Sequence, residues 1–158
     1  MNESKFQAEC LDVTDAAVSE QLRALQTAAY REEARLIGFD GIPQIGETHE
    51  ALLASPAVFY GCRLDGRLAG AVAIEREPSG IVTIARLVVH PDFFRRGIGS
   101  SLIRFALGLY SNSEYRVSTG TANDPAVQLY LRFGFEESGR VEIVPGVWLT
   151  GLRRSPRP

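Results

Sequence analysis

Two stretches of this chain bring together residue types whose spacing suits them to chemistry. The first, HPDFFRRGIGS at residues 90–100, joins an apolar run to a helical pattern. Its glycines, Gly97 and Gly99, let backbone come close to a ligand. The first amides of a helix have no internal acceptor and sit at the positive end of its dipole, where a phosphate is favoured. Arg95 and Arg96 add charge at the same point. The plain alternative is a tight turn with two solvated arginines. The segment is not a P-loop, because no Lys-Ser/Thr pair follows the second glycine. It is also a poor dinucleotide fingerprint, since Leu102 stands where a third small residue belongs.

The second stretch, NDPAVQLYLRFGF, covers residues 123–135. Asn123 and Tyr130 are seven residues apart, two helical turns, and so share a face. Ala126 lies between them and is small enough for something narrow to pass. Taken singly, each feature has a structural explanation. Asn123 suits a turn, Tyr130 a half-buried core position, and Gly134-Phe135 a helix stop with its hydrophobic contact.

The two stretches together, in this order and on these elements, resemble the Gcn5-related N-acetyltransferases (GNAT). "LVVHPDFFRRGIGSSLI" is similar to that family's acetyl-CoA motif, Arg/Gln-x-x-Gly-x-Gly/Ala. The second stretch is similar to its other signature, an Asn at a helix start, then Ala, Leu-Tyr and Gly-Phe. The resemblance covers residues 81–135, and the N-terminal half follows it only in its order of elements. Phe94 departs from the pattern by standing at the usual Arg/Gln position.

The resemblance implies transfer of an acetyl group from acetyl-CoA directly to an amine, with no metal. It assigns the CoA pyrophosphate to Arg95, Arg96, Gly97, Ile98, Gly99 and Ser100. It assigns the pantetheine arm to Leu87, Val88 and Val89, in a gap between the strands at residues 81–89 and 115–119, with Asn123 and Tyr130 completing the cofactor side. Backbone groups of Leu87 and Val89 would polarise the acetyl carbonyl. Tyr130 is the expected proton donor to the leaving sulfur, a thiol of ordinary pKa about 8.5 beside a phenol of about 10.

A base is harder to name. Some family members carry a Glu in the strand before the glycine-rich turn; here Thr83 stands there, and residues 81–90 hold no acid. A water chain or a carboxylate elsewhere must serve, with Glu32, Glu33, Asp40 and Glu75 as candidates by region and His49 as a weaker one. The resemblance puts the acceptor pocket at residues 30–35, 39–45 and 144–148. That nominates Tyr30, Glu33, Phe39 and Trp148, and the acids there suit a cationic amine. Two other readings stay open: a non-catalytic CoA-binding or sensor domain on the same fold, and a nucleotide-phosphate binder.

The elements that must hold these residues follow from periodicity. Residues 5–12 alternate as a short strand. From Thr14, with Asp12 or Thr14 as its start, Val18, Leu22, Leu25 and Ala29 mark an amphipathic helix. Residues 48–54 form a second, short helix. Residues 57–64 and 67–74 flank Asp65-Gly66, a tight-hairpin dipeptide. Residues 81–89 are apolar enough for a central strand covered on both faces. A helix begins at Gly97, a strand covers 115–119, and a helix covers 124–133, with Asp124 as cap and Pro125 first inside it. Strands at 135–144 and 147–152 end the fold, expected to be a single mixed α/β domain over 1–154 with a tail at 155–158. The resemblance adds a mostly antiparallel sheet, flanked by helices and splayed at its centre.

Composition agrees. The chain has 158 residues, 45% hydrophobic and 23% charged, with net charge −2, ordinary for a globular domain and without the basic stripe of a nucleic-acid binder. Cys10 and Cys62 read as reduced thiols with no catalytic part. No signal-peptide pattern or membrane-length apolar run is present, so a cytoplasmic setting is expected. A homodimer fits the family, though no residue specifies one.

Overall fold

A computed structural model describes residues 6–156 of the chain. Strand β1 (Ala8–Cys10) leads into a long helix α1 (Ala16–Ile37) and a short helix α2 (His49–Leu53). A meander follows: β2 (Val58–Leu64), β3 (Arg67–Arg76) and β4 (Val82–Val89). Then come α3 (Ile98–Leu109), β5 (Tyr115–Gly120), α4 (Asp124–Arg132), β6 (Glu136–Val144) and β7 (Val147–Arg154). The seven strands form one sheet in the order β1-β2-β3-β4-β5-β7-β6. Every neighbouring pair is antiparallel except β4 and β5. Among the described residues no helix is long and apolar enough to cross a membrane.

The element order is the one the periodicity indicates, with corrections at the ends. Of the opening strand at 5–12 only Ala8–Cys10 pairs, and Lys5 lies outside the described residues. α1 is capped by Asp15, whose carboxylate accepts from the amides of Ala17 and Val18. Asp12 instead closes a local turn through the Thr14 amide at 3.0 Å, a use that short polar side chains make of nearby backbone. α4 is capped by Asn123, which leaves Asp124 inside its first turn. A 3-10 turn at Pro91–Phe93, which the sequence does not announce, links β4 to the glycine-rich turn. The β2–β3 hairpin turns at Asp65 and Gly66, with φ of 53° and 77°. Both lie in the left-handed region that a tight hairpin requires.

The sheet has two buried faces. α3 lies on one, where Ile98, Leu102, Ile103 and Ala106 pack with Val72, Ile74, Tyr115 and Phe135. α1 and α2 cover the other through Leu22, Leu25 and Leu52 against Phe59, Ala71 and Val88. Fully burying side chains of this size is worth roughly 1.5–3 kcal/mol each, which docks both helix layers firmly. Gly70 on β3 brings α3 close, since a Cβ there would stand 2.7 Å from Cγ2 of Ile98. β3 is the strand buried on both sides along nearly its whole length. β4, expected to be so, is half-buried from Ala85 to Leu87. The reason lies in its partner on the far side.

Candidate active site

β4 and β5 begin side by side and then part. Val82, Thr83 and Ile84 pair with Tyr115, Arg116 and Val117, and the ladder stops there. At the same place the β3–β4 register slips, Ala73 opposing Arg86 and Ile74 opposing Ile84. Ala85 is thus an extra residue, and such a bulge bends its strand. β5 continues with β7 through Gly120. A gap opens along the last turns of β4.

The backbone direction in that gap follows from the pleat. The His90 amide donates to the Ala69 carbonyl on β3 at 2.8 Å. Backbone groups alternate between the two edges of a strand. Val88 therefore also faces β3, and the N–H and C=O groups of Leu87 and Val89 face the gap. A cleft of about 610 Å³ runs along it, lined by Leu87, Val88 and Val89 on one wall and by Asn123, Ala126 and Leu129 on another.

One end of the cleft is the start of α3. Its cap position, Gly97, has φ 82° and supplies no side-chain acceptor to the helix amides. Arg95 also has positive φ, 64°, a conformation costing a non-glycine residue about 1 kcal/mol. The chain thus turns twice through the left-handed region before presenting the uncapped first amides of α3, at the positive end of the helix dipole. Arg95, Gly97, Ile98, Gly99 and Ser100 all line the cleft. Arg96 does not; its guanidinium lies over the Phe93 ring, 5.5 Å from the centroid. Phe94, 45% exposed, also lines the cleft, where the motif would have Arg or Gln.

The other end is formed by α1. Tyr30 and Glu33, three residues apart on one helical face, line it together with Glu32. Asn123 donates from Nδ2 to Oε2 of Glu33 at 3.2 Å, while its Oδ1 accepts from the Ala126 amide at 3.4 Å. Thr119, on the part of β5 that has left β4, donates to the same Glu33 oxygen at 3.5 Å. Glu32 is paired with Arg35.

Tyr130 lies beneath this end, 3% exposed, its ring edge-on to Phe135 at 5.4 Å. Its hydroxyl has no hydrogen-bond partner among the described residues, yet no fully sealed side-chain polar atom among them lacks one. The hydroxyl must therefore keep some contact with solvent. Burial first, then Tyr30 and Glu33, push its pKa well above the usual phenol value. Both of these neighbours line the cleft, whereas Tyr130 itself is not among its lining residues. Tyr30 is raised in the same way, chiefly by burial and partly offset by Arg86.

Behind Tyr30 is a network the sequence reading missed. Arg86 Nη1 and Nη2 contact Glu47 at 2.6 and 3.1 Å, and Gln26 bridges both, donating to Glu47 at 3.0 Å and accepting from Arg86 at 2.8 Å. Both charged side chains are only 11% exposed. Burial opposes the charged form of Glu47, but the bonds from Arg86 and Gln26 outweigh it and hold its carboxyl below the usual range. Arg86 is the only charge in residues 81–89; that was the available signal.

Other nominated residues lie elsewhere. Phe39 and Asp40 share a separate groove with Arg31 and Arg35. Trp148 lines a third, with Ile37, Ala122 and Arg140. Tyr30, Phe39 and Trp148 thus line three different surfaces and make no common aromatic wall; the αL stop at Gly38 turns Phe39 away from the cleft. Glu75 and Thr83 face each other across the β3–β4 ladder, outside the cleft lining. His49 Nδ1 is held at 2.6 Å by the Ser19 hydroxyl. Cys62 and Cys10 are free thiols, and burial pushes Cys62 up to about 11, which leaves that thiol inert at neutral pH.

Comparison with known proteins agrees with this geometry. The model of the acetyltransferase (GNAT) family matches residues 17–135. UPF0157 protein YqkA of Bacillus subtilis is 37% identical over 94% of this chain and 43% of its own length. An uncharacterized N-acetyltransferase of Methanocaldococcus jannaschii, MJ1207, is 33% identical over 61% of this chain and 45% of its own length. The chain thus spans less than half of each of these two relatives. The N-alpha-acetyltransferase RimI of Mycobacterium tuberculosis is 32% identical over 72% of this chain and 73% of its own. Among solved structures, the PaiA N-acetyltransferase of Thermoplasma acidophilum in complex with coenzyme A superposes with TM-score 0.74 at 16% identity, covering 96% and 99% of the two chains. The ribosomal-protein-S18-alanine N-acetyltransferase of Escherichia coli gives 0.73 at 14% identity, covering 97% and 96%; at such identities the likeness is one of fold. With the family's model spanning the splayed strands, the glycine-rich turn and the Asn–Tyr helix alike, this chain belongs to the acetyltransferase (GNAT) family.

Proposed function

We propose that this chain transfers the acetyl group of acetyl-CoA directly to an amine bound in the same cleft. The observation that carries this reading is the parting of β4 from β5 beside a helix start with no side-chain cap. That combination offers a long, narrow ligand two different surfaces. The Leu87 and Val89 backbone can pair with its amides, and the Ile98, Gly99 and Ser100 amides with Arg95 can meet its phosphates. Acetyl-CoA supplies an acyl thioester, whose carbonyl carbon is the electrophile. The outward-facing backbone N–H groups of Leu87 and Val89 are preorganised donors near that carbonyl, the arrangement that stabilises a developing oxyanion. Tyr130, kept protonated, is the proton donor to the sulfur.

A non-catalytic CoA-binding domain is the second reading, favoured by Phe94 at the Arg/Gln position and by the lack of an acid on β4. Thiol release from acetyl-CoA, followed across a panel of polyamines, aminoglycosides, simple primary amines and peptide N-termini, separates the two. Release that depends on one class of amine is the expected outcome. Release no faster than without amine, across the whole panel, favours the binding domain.

A further inference from the structure

The cleft contains two carboxylates with different surroundings. Glu32 is neutralised by Arg35. Glu33 is held only by neutral donors, the Asn123 amide at 3.2 Å and the Thr119 hydroxyl at 3.5 Å, both on Oε2. Among the described residues it has no cationic partner. Its other oxygen, Oε1, makes no hydrogen bond to those residues. A half-buried carboxylate fixed by two donors from two different elements, yet left without a counter-ion, is arranged to receive one. It sits on the same cleft as the free backbone edge of Leu87 and Val89.

We propose that Glu33 anchors the ammonium group of the acceptor, so that the acceptor is a primary alkylamine that is cationic in solution. Asn123 is then a positioning residue, capping α4 with its oxygen and aiming Glu33 with its nitrogen. This assignment rests on the acetyl-transfer reading above. The proton balance is as follows. The docked nitrogen sheds one proton through Glu33 Oε1 to cleft water, and its lone pair then forms the C–N bond as the C–S bond breaks. A second proton leaves the nitrogen, and one proton ends on the CoA sulfur. The net result is amide, thiol and one proton released.

The test is titration of phenethylammonium chloride into protein saturated with CoA, followed by intrinsic fluorescence, for wild type, Glu33→Gln, Asn123→Ser and Glu75→Gln. Glu33→Gln keeps the shape and removes the charge. It is expected to weaken binding about tenfold to a hundredfold, the range for a charge-assisted bond. Asn123→Ser keeps a capping oxygen for α4 but cannot reach Glu33, and is expected to weaken binding by a few-fold with an unchanged melting temperature. Glu75→Gln, outside the cleft lining, is expected to bind as wild type. Equal affinity for wild type and Glu33→Gln, or no binding by wild type, overturns the proposal. Failure of CoA itself to bind, measured beforehand, sinks the acetyl-transfer reading instead.

Discussion

Replacing Tyr130 by Phe is expected to lower acetyl transfer by more than about tenfold, within the range usual for loss of a proton donor. Affinity for acetyl-CoA and the melting temperature should barely change. The stability expectation comes from the packing: the ring keeps its edge-on contact with Phe135, and the lost hydroxyl has no protein partner among the described residues. The activity expectation comes from electrostatics. Burial, then the neighbouring Tyr30 and Glu33, push the phenol's pKa above that of an ordinary tyrosine, so the hydroxyl carries a proton to donate at neutral pH. Steady-state turnover with the best amine, alongside a calorimetric titration of acetyl-CoA, decides it. Unchanged turnover would remove Tyr130 from the reaction and leave it a core residue.

Truncating Glu47 to Ala should have the largest effect on stability. Removing one member of a buried pair leaves the other charge uncompensated, at a cost of about 3–5 kcal/mol. For a domain of this size that corresponds to a fall in melting temperature on the order of 10 °C. Arg86 would be stranded against Phe59, whose ring it overlies at 5.3 Å. The folded pKa of Glu47 is depressed, so its stabilising contribution is complete above the unfolded value near 4.5. It is lost as pH falls through the lower, folded value. Melting curves of the variant should accordingly show a weaker acid dependence than wild type in that window. The double change Arg86→Met, Glu47→Leu should recover much of the loss. A variant melting with wild type at neutral pH would mean that the pair contributes nothing to the fold. Since Glu47 lies just before α2 and fastens the segment after α1 to β4, weaker binding of the amine should accompany the lower melting temperature.

Much of the architecture was legible because local rules agree with the final packing. The Asp65-Gly66 turn, the period change after Thr14 and the Gly97 helix start each encode their geometry within a few residues. The end of the cleft at the start of α3 was legible for the same reason: a glycine-rich turn and its helix are contiguous in sequence. The end at α1 was legible only in part, since Glu33 and Asn123 were nominated but neither Thr119 nor their meeting was. Glu33, Thr119 and Asn123 come from α1, β5 and the start of α4, and their meeting depends on β5 leaving β4 at Val117. Nothing local to Ala85 announces the bulge that coincides with that departure. Arg86 could have been noticed as a lone charge in an apolar strand, which demands a buried partner. Its partner Glu47 lies in an irregular segment between Gly46 and Thr48, where no periodicity gives it away. Phe39 and Trp148 were nominated by region alone, and the left-handed residue Gly38 sends the first away from the cleft.

The measurement that tests the central claim most directly is calorimetric titration of acetyl-CoA into the purified protein, with desulfo-CoA and ATP as comparisons. The splayed strands and the uncapped start of α3 predict micromolar binding of acetyl-CoA, weaker binding of ATP, which has phosphates but no pantetheine arm to lie along Leu87 and Val89, and retained binding of desulfo-CoA. No heat of binding with acetyl-CoA, or equal affinity for ATP, would contradict the account, since the gap between β4 and β5 would then hold no pantetheine.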